Sequence, residues 1–169
     1  MTKTYNQFLS EQEYTSKGTS RNQIAAGFKK IDWIPGTTNL DYGGGKYEKA
    51  TMWLLEQGVN NLVYDKFNRS DEHNEMALEF AKSSTTTTCF NVLNVIKERE
   101  HRKQVIKECK RENTKTIYFG VYNGDMSGEG TPTRGNSWQN NKPLKYYLEE
   151  VKEIYPSAEI VKGMIIAKV

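Results

Sequence analysis

The chain has 169 residues and a mass of 19.4 kDa, and 36% of its residues are hydrophobic, 11% aromatic and 27% charged. This size indicates one domain, and the aromatic content excludes a chain that is disordered throughout. No apolar run approaches the roughly 20 residues of a membrane span, and the first residues lack the apolar core of a secretory signal. We therefore predict a cytoplasmic protein without membrane contact, and the formal charge of +3 is weak evidence for a nucleic-acid partner.

The two cysteines, Cys89 and Cys109, lie in different predicted elements and lack the spacing of metal ligands. We therefore predict reduced structural thiols, no disulfide scaffold and no metal site.

Helix and strand patterns alternate along the chain after a polar first segment, 1–20, which we predict to be a flexible arm or a loosely docked cover. Helices are predicted over 21–30, 47–57, 72–82, 98–112 and 144–154, and strands over 37–42, 61–65, 85–91, 116–121 and, as one or two strands, 158–169. This alternation indicates a parallel sheet with helices packed on its faces.

Side-chain patterns within the helices predict which residues are buried. The apolar stripe of 72–82 is assigned to Met76, Ala77 and Phe80, and that of 98–112 to Val105, Ile106 and Cys109. His73 and His101 have polar neighbours and are predicted to face solvent.

The segment 97–115 holds eight basic residues against four acidic ones, a net charge of +4. A solvated helix face explains such a mixed pattern, and we prefer it to a phosphate-contacting surface for nucleic acid.

A polar loop at 123–142 contains several glycines and few apolar residues. Loops of this length are uncommon in a compact domain unless they are functional. Its members Asp125, Arg134, Trp138 and Gln139 are candidates for catalysis or substrate binding, although a polar loop also forms simply as a cover.

The clearest functional signal is Asp41-Tyr42-Gly43-Gly44-Gly45-Lys46, which joins a predicted strand to a helix. Glycines there allow a sharp turn and close approach of a ligand, and the helix N-terminus offers N–H groups. Asp65 ends the next strand about twenty residues later, where nucleotide-binding βαβ units place an acid that accepts hydrogen bonds from ribose.

The residues around these glycines narrow the choice of ligand. Tyr47 replaces the third glycine of a dinucleotide fingerprint, and Lys46 is not followed by the Ser or Thr of a phosphate-binding P-loop. Asp41 would repel a pyrophosphate but attract an ammonium group. S-adenosylmethionine combines an adenosine with a cationic amino-acid end, so it fits this pattern.

From residue 23 to the C-terminus, the sequence resembles the small class I S-adenosylmethionine-dependent methyltransferases of bacteria and their phages. Asp41, Gly43 and Gly45 match the family's D/E-x-G-x-G-x-G motif, and Tyr47 departs from it. The resemblance implies that 21–169 form a single Rossmann-like three-layer α/β/α sandwich, with a mostly parallel sheet and a C-terminal antiparallel strand.

The resemblance also implies roles for individual residues. Asp65 corresponds to the family's ribose-binding acid, and the segment Phe90-Asn91-Val92-Leu93-Asn94-Val95 to its fourth motif, beside the methionine end of the cofactor. The implied cofactor contacts are Asp41, Tyr42, Gly43, Gly44, Gly45, Asp65, Lys66, Asn91, Val92 and Leu93. The implied catalytic residues are Asn91 and Asp125, the latter as a base, and the implied substrate contacts are Asn94, Arg134, Trp138 and Gln139. Alternatively, Asn91 and Asn94 cap the following helix.

Two departures limit the resemblance. Residues 70–84 are too few for the family's third strand and its helix, which predicts a sheet without one strand-helix unit and leaves the adenine contact unassigned. The tetrapeptide Asn91-Val92-Leu93-Asn94 is not the Asp/Asn-Pro-Pro-aromatic motif of amino-methylating DNA enzymes, and no Pro-Cys pair occurs. Methylation of DNA bases is therefore disfavoured.

Three functions remain open at this point. The chain transfers a methyl group to an unidentified acceptor beneath the 123–142 loop, or it binds S-adenosylmethionine as a regulator or partner-binding protein without transfer. In the third, it cleaves the cofactor by hydrolysis or lyase chemistry in phage defence or counter-defence.

Overall fold

The computed structural model describes residues 12–169, so residues 1–11 of the predicted arm lie outside it. The strands are β1 (Thr38–Tyr42), β2 (Asn60–Tyr64), β3 (Thr86–Phe90), β4 (Thr116–Gly120), β5 (Thr131–Thr133), β6 (Ser137–Gln139), β7 (Glu159–Val161) and β8 (Met164–Lys168). The helices are α1 (Lys49–Glu56), α2 (Asp71–Phe80), α3 (Arg99–Glu108) and α4 (Leu144–Ile154), with short 3₁₀ helices at Ala26–Lys30, Ala81–Ser83 and Leu93–Val95.

Six strands form one mixed sheet in the order β2-β1-β3-β4-β8-β7. β1 is parallel to both β2 and β3, and β3 is parallel to β4, whereas β8 is antiparallel to β4 and to β7. The predicted α/β class, with a mostly parallel sheet and an antiparallel C-terminal strand, is confirmed. β5 and β6 form a separate antiparallel hairpin within the predicted long loop.

Two predicted helices differ clearly from the structure. Only Ala26–Lys30 of 21–30 is helical, as a 3₁₀ turn. Gly27 in this turn packs closely on Phe90, so that a Cβ there would lie 2.7 Å from the ring. The predicted helix 98–112 ends at Glu108. Beyond it, Arg111 N–H donates to the Thr114 hydroxyl at 2.9 Å, which starts a turn.

The cores on the sheet explain most of the helix positions. Val105, Ile106 and Cys109 are buried as predicted, and they pack in the larger core with Phe119 and Tyr147. The stripe assigned to α2 is partly wrong: Ala77 is buried, but Met76 is 54% and Phe80 60% exposed.

The sheet ends at β2 because side chains of α2 occupy part of its free edge. His73, which was predicted to face solvent, is half-buried, and its Nε2 lies 2.8 Å from the Val63 carbonyl oxygen. The Asn74 amide accepts from Asp65 N at 3.0 Å and donates to Asp65 O at 2.9 Å. These bonds satisfy backbone groups that a further strand would otherwise pair.

Four of the eight basic residues of 97–115 form ion pairs within the protein: Lys97, Arg99, Arg102 and Lys103. Arg102 is 2% exposed and donates from Nε and Nη2 to the carboxylate of Glu150. Arg99 and Lys103 form ion pairs with Glu153. Arg102 therefore departs from the solvated helix face predicted for this segment, whereas Arg99, with 48% of its side chain exposed, agrees with it. No helix in residues 12–169 is long and apolar enough to cross a membrane.

Candidate functional site

A cavity of about 890 Å³ lies beyond the carboxyl ends of the four parallel strands. From β1 the chain continues to β2 on one side and, after β2, to β3 on the other. Such a reversal of strand order leaves a crevice between the loops that follow β1 and β3, where open α/β sheets bind ligands. The topology alone therefore makes this crevice the expected position for a ligand.

The glycine loop after β1 forms one wall of this cavity. Gly43 and Gly45 adopt φ values of +77° and +79°, a region that strains other residues. A Cβ at Gly43 would lie 2.5 Å from Val92, and one at Gly44 2.5 Å from Asp41 Oδ2. The loop thus needs glycine for both its conformation and its close packing.

Several N–H groups of this loop already have partners within the chain. Gly43 N donates to the Tyr64 carbonyl at 2.7 Å. Gly45 N donates to Asp65 Oδ2 at 2.8 Å, and Lys46 N donates to the Ser20 hydroxyl at 3.1 Å. A ligand must bind beside these bonds or displace them.

Asp65 lies next to the glycine loop, as predicted for a ribose-binding acid, but its carboxylate is heavily used. Oδ1 accepts from Phe67 N, Asn68 N and Asn68 Nδ2 at 3.0 to 3.1 Å. Oδ2 accepts only from Gly45 N among the described residues. A carboxylate has about four acceptor positions, two on each oxygen. Oδ2 thus has room for one ligand hydroxyl, whereas bonds to two would require the 66–68 turn to shift.

Asp41 brings a buried carboxyl group to the cavity wall, where it is 3% exposed. The Thr88 hydroxyl donates to its Oδ1 at 3.1 Å. Burial raises the pKa of Asp41 to about 7, although hydrogen bonds from Thr88 and Asn61 oppose the shift. The group is therefore only partly ionised near neutral pH, and a cation bound beside it would favour the carboxylate.

The other predicted cofactor contacts lie in several environments. Tyr42 and Lys66 line the cavity, and Tyr42 stacks on Tyr64 with ring centroids 4.8 Å apart. Asn91 and Val92 also line it, and Asn91 has a φ of +59°. Leu93 differs, because it is fully buried in the hydrophobic core behind the wall.

Asn94 is the most buried polar residue of the segment 90–95. It lines the cavity and is 2% exposed, and its Oδ1 has no hydrogen-bond partner among residues 12–169. An unpaired buried polar atom costs about 1–3 kcal/mol. Neither Asn91 nor Asn94 caps the following helix, because α3 begins after Glu98 and the 3₁₀ helix Leu93–Val95 has no side-chain cap.

The predicted loop residues divide into two groups. Arg134, Trp138 and Gln139 belong to the β5–β6 hairpin and line the cavity. Asp125 is exposed and lies outside this lining, and its Oδ1 accepts from Ser127 N at 2.8 Å. These bonds to Ser127 lower the pKa of Asp125 and make it a weaker base. The geometry gives no support to its predicted role as the base.

Trp138 is held by protein groups on several sides. Its ring centroid lies 4.8 Å from that of Tyr14, and Lys97 Nζ lies 4.6 Å from it. Its Nε1 donates to Asn140 Oδ1 at 2.8 Å. These contacts fit a residue that closes the cavity better than one that stacks on a substrate.

Sequence reasoning missed His101 as a cavity residue. It is 6% exposed and lines the cavity, so the prediction that it faces solvent is wrong. Its Nδ1 lies 3.4 Å from Glu98 Oε2. The signal was its spacing of four residues from Val105, which places both on one face of α3.

No group of three or more His, Cys, Asp or Glu in the described residues could hold a metal ion. No protein-family model and no curated protein matches the chain.

Proposed function

We propose that the cavity binds S-adenosylmethionine and that the chain transfers its methyl group to an acceptor. The observation that carries this proposal is the glycine loop at the point where the strand order reverses, with one acid at its start and a second beside it. The order β2-β1-β3-β4-β8-β7 is also the order expected for a Rossmann-like three-layer fold without its third strand.

The residues present fit the two ends of this cofactor. Asp65 Oδ2 has one acceptor position left for a ribose hydroxyl, and the buried Asp41 carboxyl suits the ammonium of the methionine end. The missing Cβ atoms of the glycine loop allow close approach of the cofactor to the backbone. Asn91, Val92 and Lys66 complete the proposed binding site.

When bound, the cofactor supplies an electrophilic methyl group on a sulfonium. The chain's part is alignment, because in-line displacement depends on the position and approach of the acceptor. We assign this alignment to the Asn94 amide together with Arg134 and Gln139 of the β5–β6 hairpin, which also line the cavity. Asp125 has no part in this scheme because it lies outside the cavity.

Calorimetric titration with S-adenosylmethionine and S-adenosylhomocysteine tests the proposal. Asp65→Ala should reduce affinity at least about tenfold, since it removes a hydrogen bond to a charged group worth about 1.5–3 kcal/mol. Asp32→Ala, which changes an exposed carboxylate, should bind like the wild type, and thermal unfolding shows whether both variants are folded. Absence of binding by the wild type, together with binding of another nucleotide, refutes the function.

Binding without transfer is the second candidate, and one observation favours it. Asp125, the predicted base, lies outside the cavity lining and accepts from Ser127 N instead. Methyl-labelled cofactor separates the candidates. Label transferred only when cell extract is added supports the methyltransferase, retention of intact cofactor supports the binding protein, and release without extract supports cofactor cleavage.

A further inference from the structure

Residues 13–20 cross the mouth of the cavity, and we call this segment the strap. Ser16, Gly18, Thr19 and Ser20 line the cavity from this side. The strap contacts the rest of the protein at both of its ends.

A cluster of aromatic and charged side chains holds the first end. Glu13 pairs with Lys97 at 2.5 Å, and Glu13 N donates to Glu98 Oε1 at 3.0 Å. Tyr14 packs on Trp138, and Lys97 Nζ lies 5.3 Å from the Tyr14 ring centroid. We call this group of five residues the clasp.

Ser20 holds the second end against the glycine loop. Its hydroxyl accepts from Lys46 N at 3.1 Å, and a Cβ at Gly45 would lie 2.2 Å from that oxygen. The strap therefore ends on the same loop that we propose to contact the cofactor.

The β5–β6 hairpin meets the strap from the opposite side. Thr15 N donates to the carbonyl of Asn136, in the hairpin turn, at 2.9 Å. Strap and hairpin together form a roof over the ends of the parallel strands. A nucleic acid or a protein surface would have to displace this roof, whereas a small molecule fits beneath it.

We propose that the strap opens to admit ligands and closes over them, and that the acceptor is a small molecule rather than a nucleic acid or a protein. That one of these ligands is S-adenosylmethionine rests on the proposed function, but the opening and closing of the strap does not.

Limited proteolysis tests the strap without any ligand. Trypsin can cut after Lys17 in the strap, and cleavage requires local opening. Glu13→Gln/Tyr14→Ala removes an ion pair, an aromatic contact and a cation–π contact, so cleavage after Lys17 should be about tenfold faster than in the wild type. Glu56→Gln, which alters an exposed carboxylate on α1, should leave the rate unchanged. Equal rates for the wild type and the clasp variant overturn the closure.

The same cleavage, with S-adenosylhomocysteine as probe, tests closure over a ligand. At a concentration that calorimetry shows to be saturating, the probe should slow cleavage after Lys17 several-fold in the wild type. Unchanged cleavage despite bound probe overturns the proposal. If the probe does not bind, the proposed function fails, while the comparison of clasp variant and wild type still decides whether the strap is closed.

The acceptor class is tested with methyl-labelled cofactor and cell extract divided by ultrafiltration into metabolites and macromolecules. We expect labelled product in the metabolite fraction. Label on nucleic acid or protein overturns the assignment. Label in neither fraction, with cofactor binding established, overturns it as well, because the protein then has no acceptor in the extract.

Discussion

The substitution Asp41→Asn tests whether the buried carboxyl at the glycine loop resists ionisation. Asparagine retains the shape of the side chain and an oxygen that can accept from the Thr88 hydroxyl, but it cannot ionise. The variant thus isolates the effect of charge at this position.

The magnitude follows from the raised pKa. The folded protein holds the pKa of Asp41 at about 7 instead of the ordinary 3.8, mainly because the group is buried. At about 1.4 kcal/mol per pKa unit, ionisation costs the folded state about 4 kcal/mol relative to the unfolded chain. Because the pKa of Asp41 is raised in the folded protein, the wild type keeps its full free energy of unfolding below pH 3.8, where the carboxyl is protonated. It loses about 4 kcal/mol of that free energy as the pH rises through about 7.

Urea unfolding at several pH values between 4 and 8, followed by tryptophan fluorescence, measures this effect. At pH 4 the variant and the wild type should differ little, and at pH 8 the variant should be more stable by up to about 4 kcal/mol. Asp32→Asn, at an exposed carboxylate, should show no such divergence. A difference between Asp41→Asn and the wild type that does not change with pH would refute the reasoning.

Three further substitutions test the packing around the site by the same unfolding measurement. Asn74→Ala should lower the free energy of unfolding by about 2–4 kcal/mol because it leaves backbone groups at the edge of β2 unpaired; a loss below 1 kcal/mol would show that water replaces the amide. Gly43→Ala should lower the free energy of unfolding more than Gly36→Ala does, because both glycines have positive φ but only a Cβ at Gly43 would meet a neighbouring side chain. Equal losses of free energy would contradict that contact. Arg102→Ala should cost about 3–5 kcal/mol because it leaves Glu150 buried without its partner, whereas a loss below 1 kcal/mol would mean that Glu150 is solvated or protonated.

The element pattern was predictable because it depends on neighbouring residues. The spacing of hydrophobic residues predicted the ends of most helices and strands to within two residues, including those of Leu144–Ile154. The glycines between a strand and a helix marked the loop after β1, since a sharp turn there needs residues without a side chain. The errors at Met76 and Phe80 arose because α2 buries the face that carries Asn74 and Ala77, which hydrophobic spacing does not reveal.

The amino-acid sequence by itself determined the α/β class and the position of the glycine loop, because local periodicity and turn chemistry are sufficient for these. Tertiary structure alone decided which polar groups face the cavity and which are already satisfied. Glu13 and Glu98 meet across 85 residues, and the raised pKa of Asp41 comes from burial that no stretch of sequence reveals. Hydrogen-bond partners and burial are properties of the folded chain. Only the tertiary structure could therefore show the roof over the cavity and the hydrogen bonds that the Asp65 carboxylate already accepts.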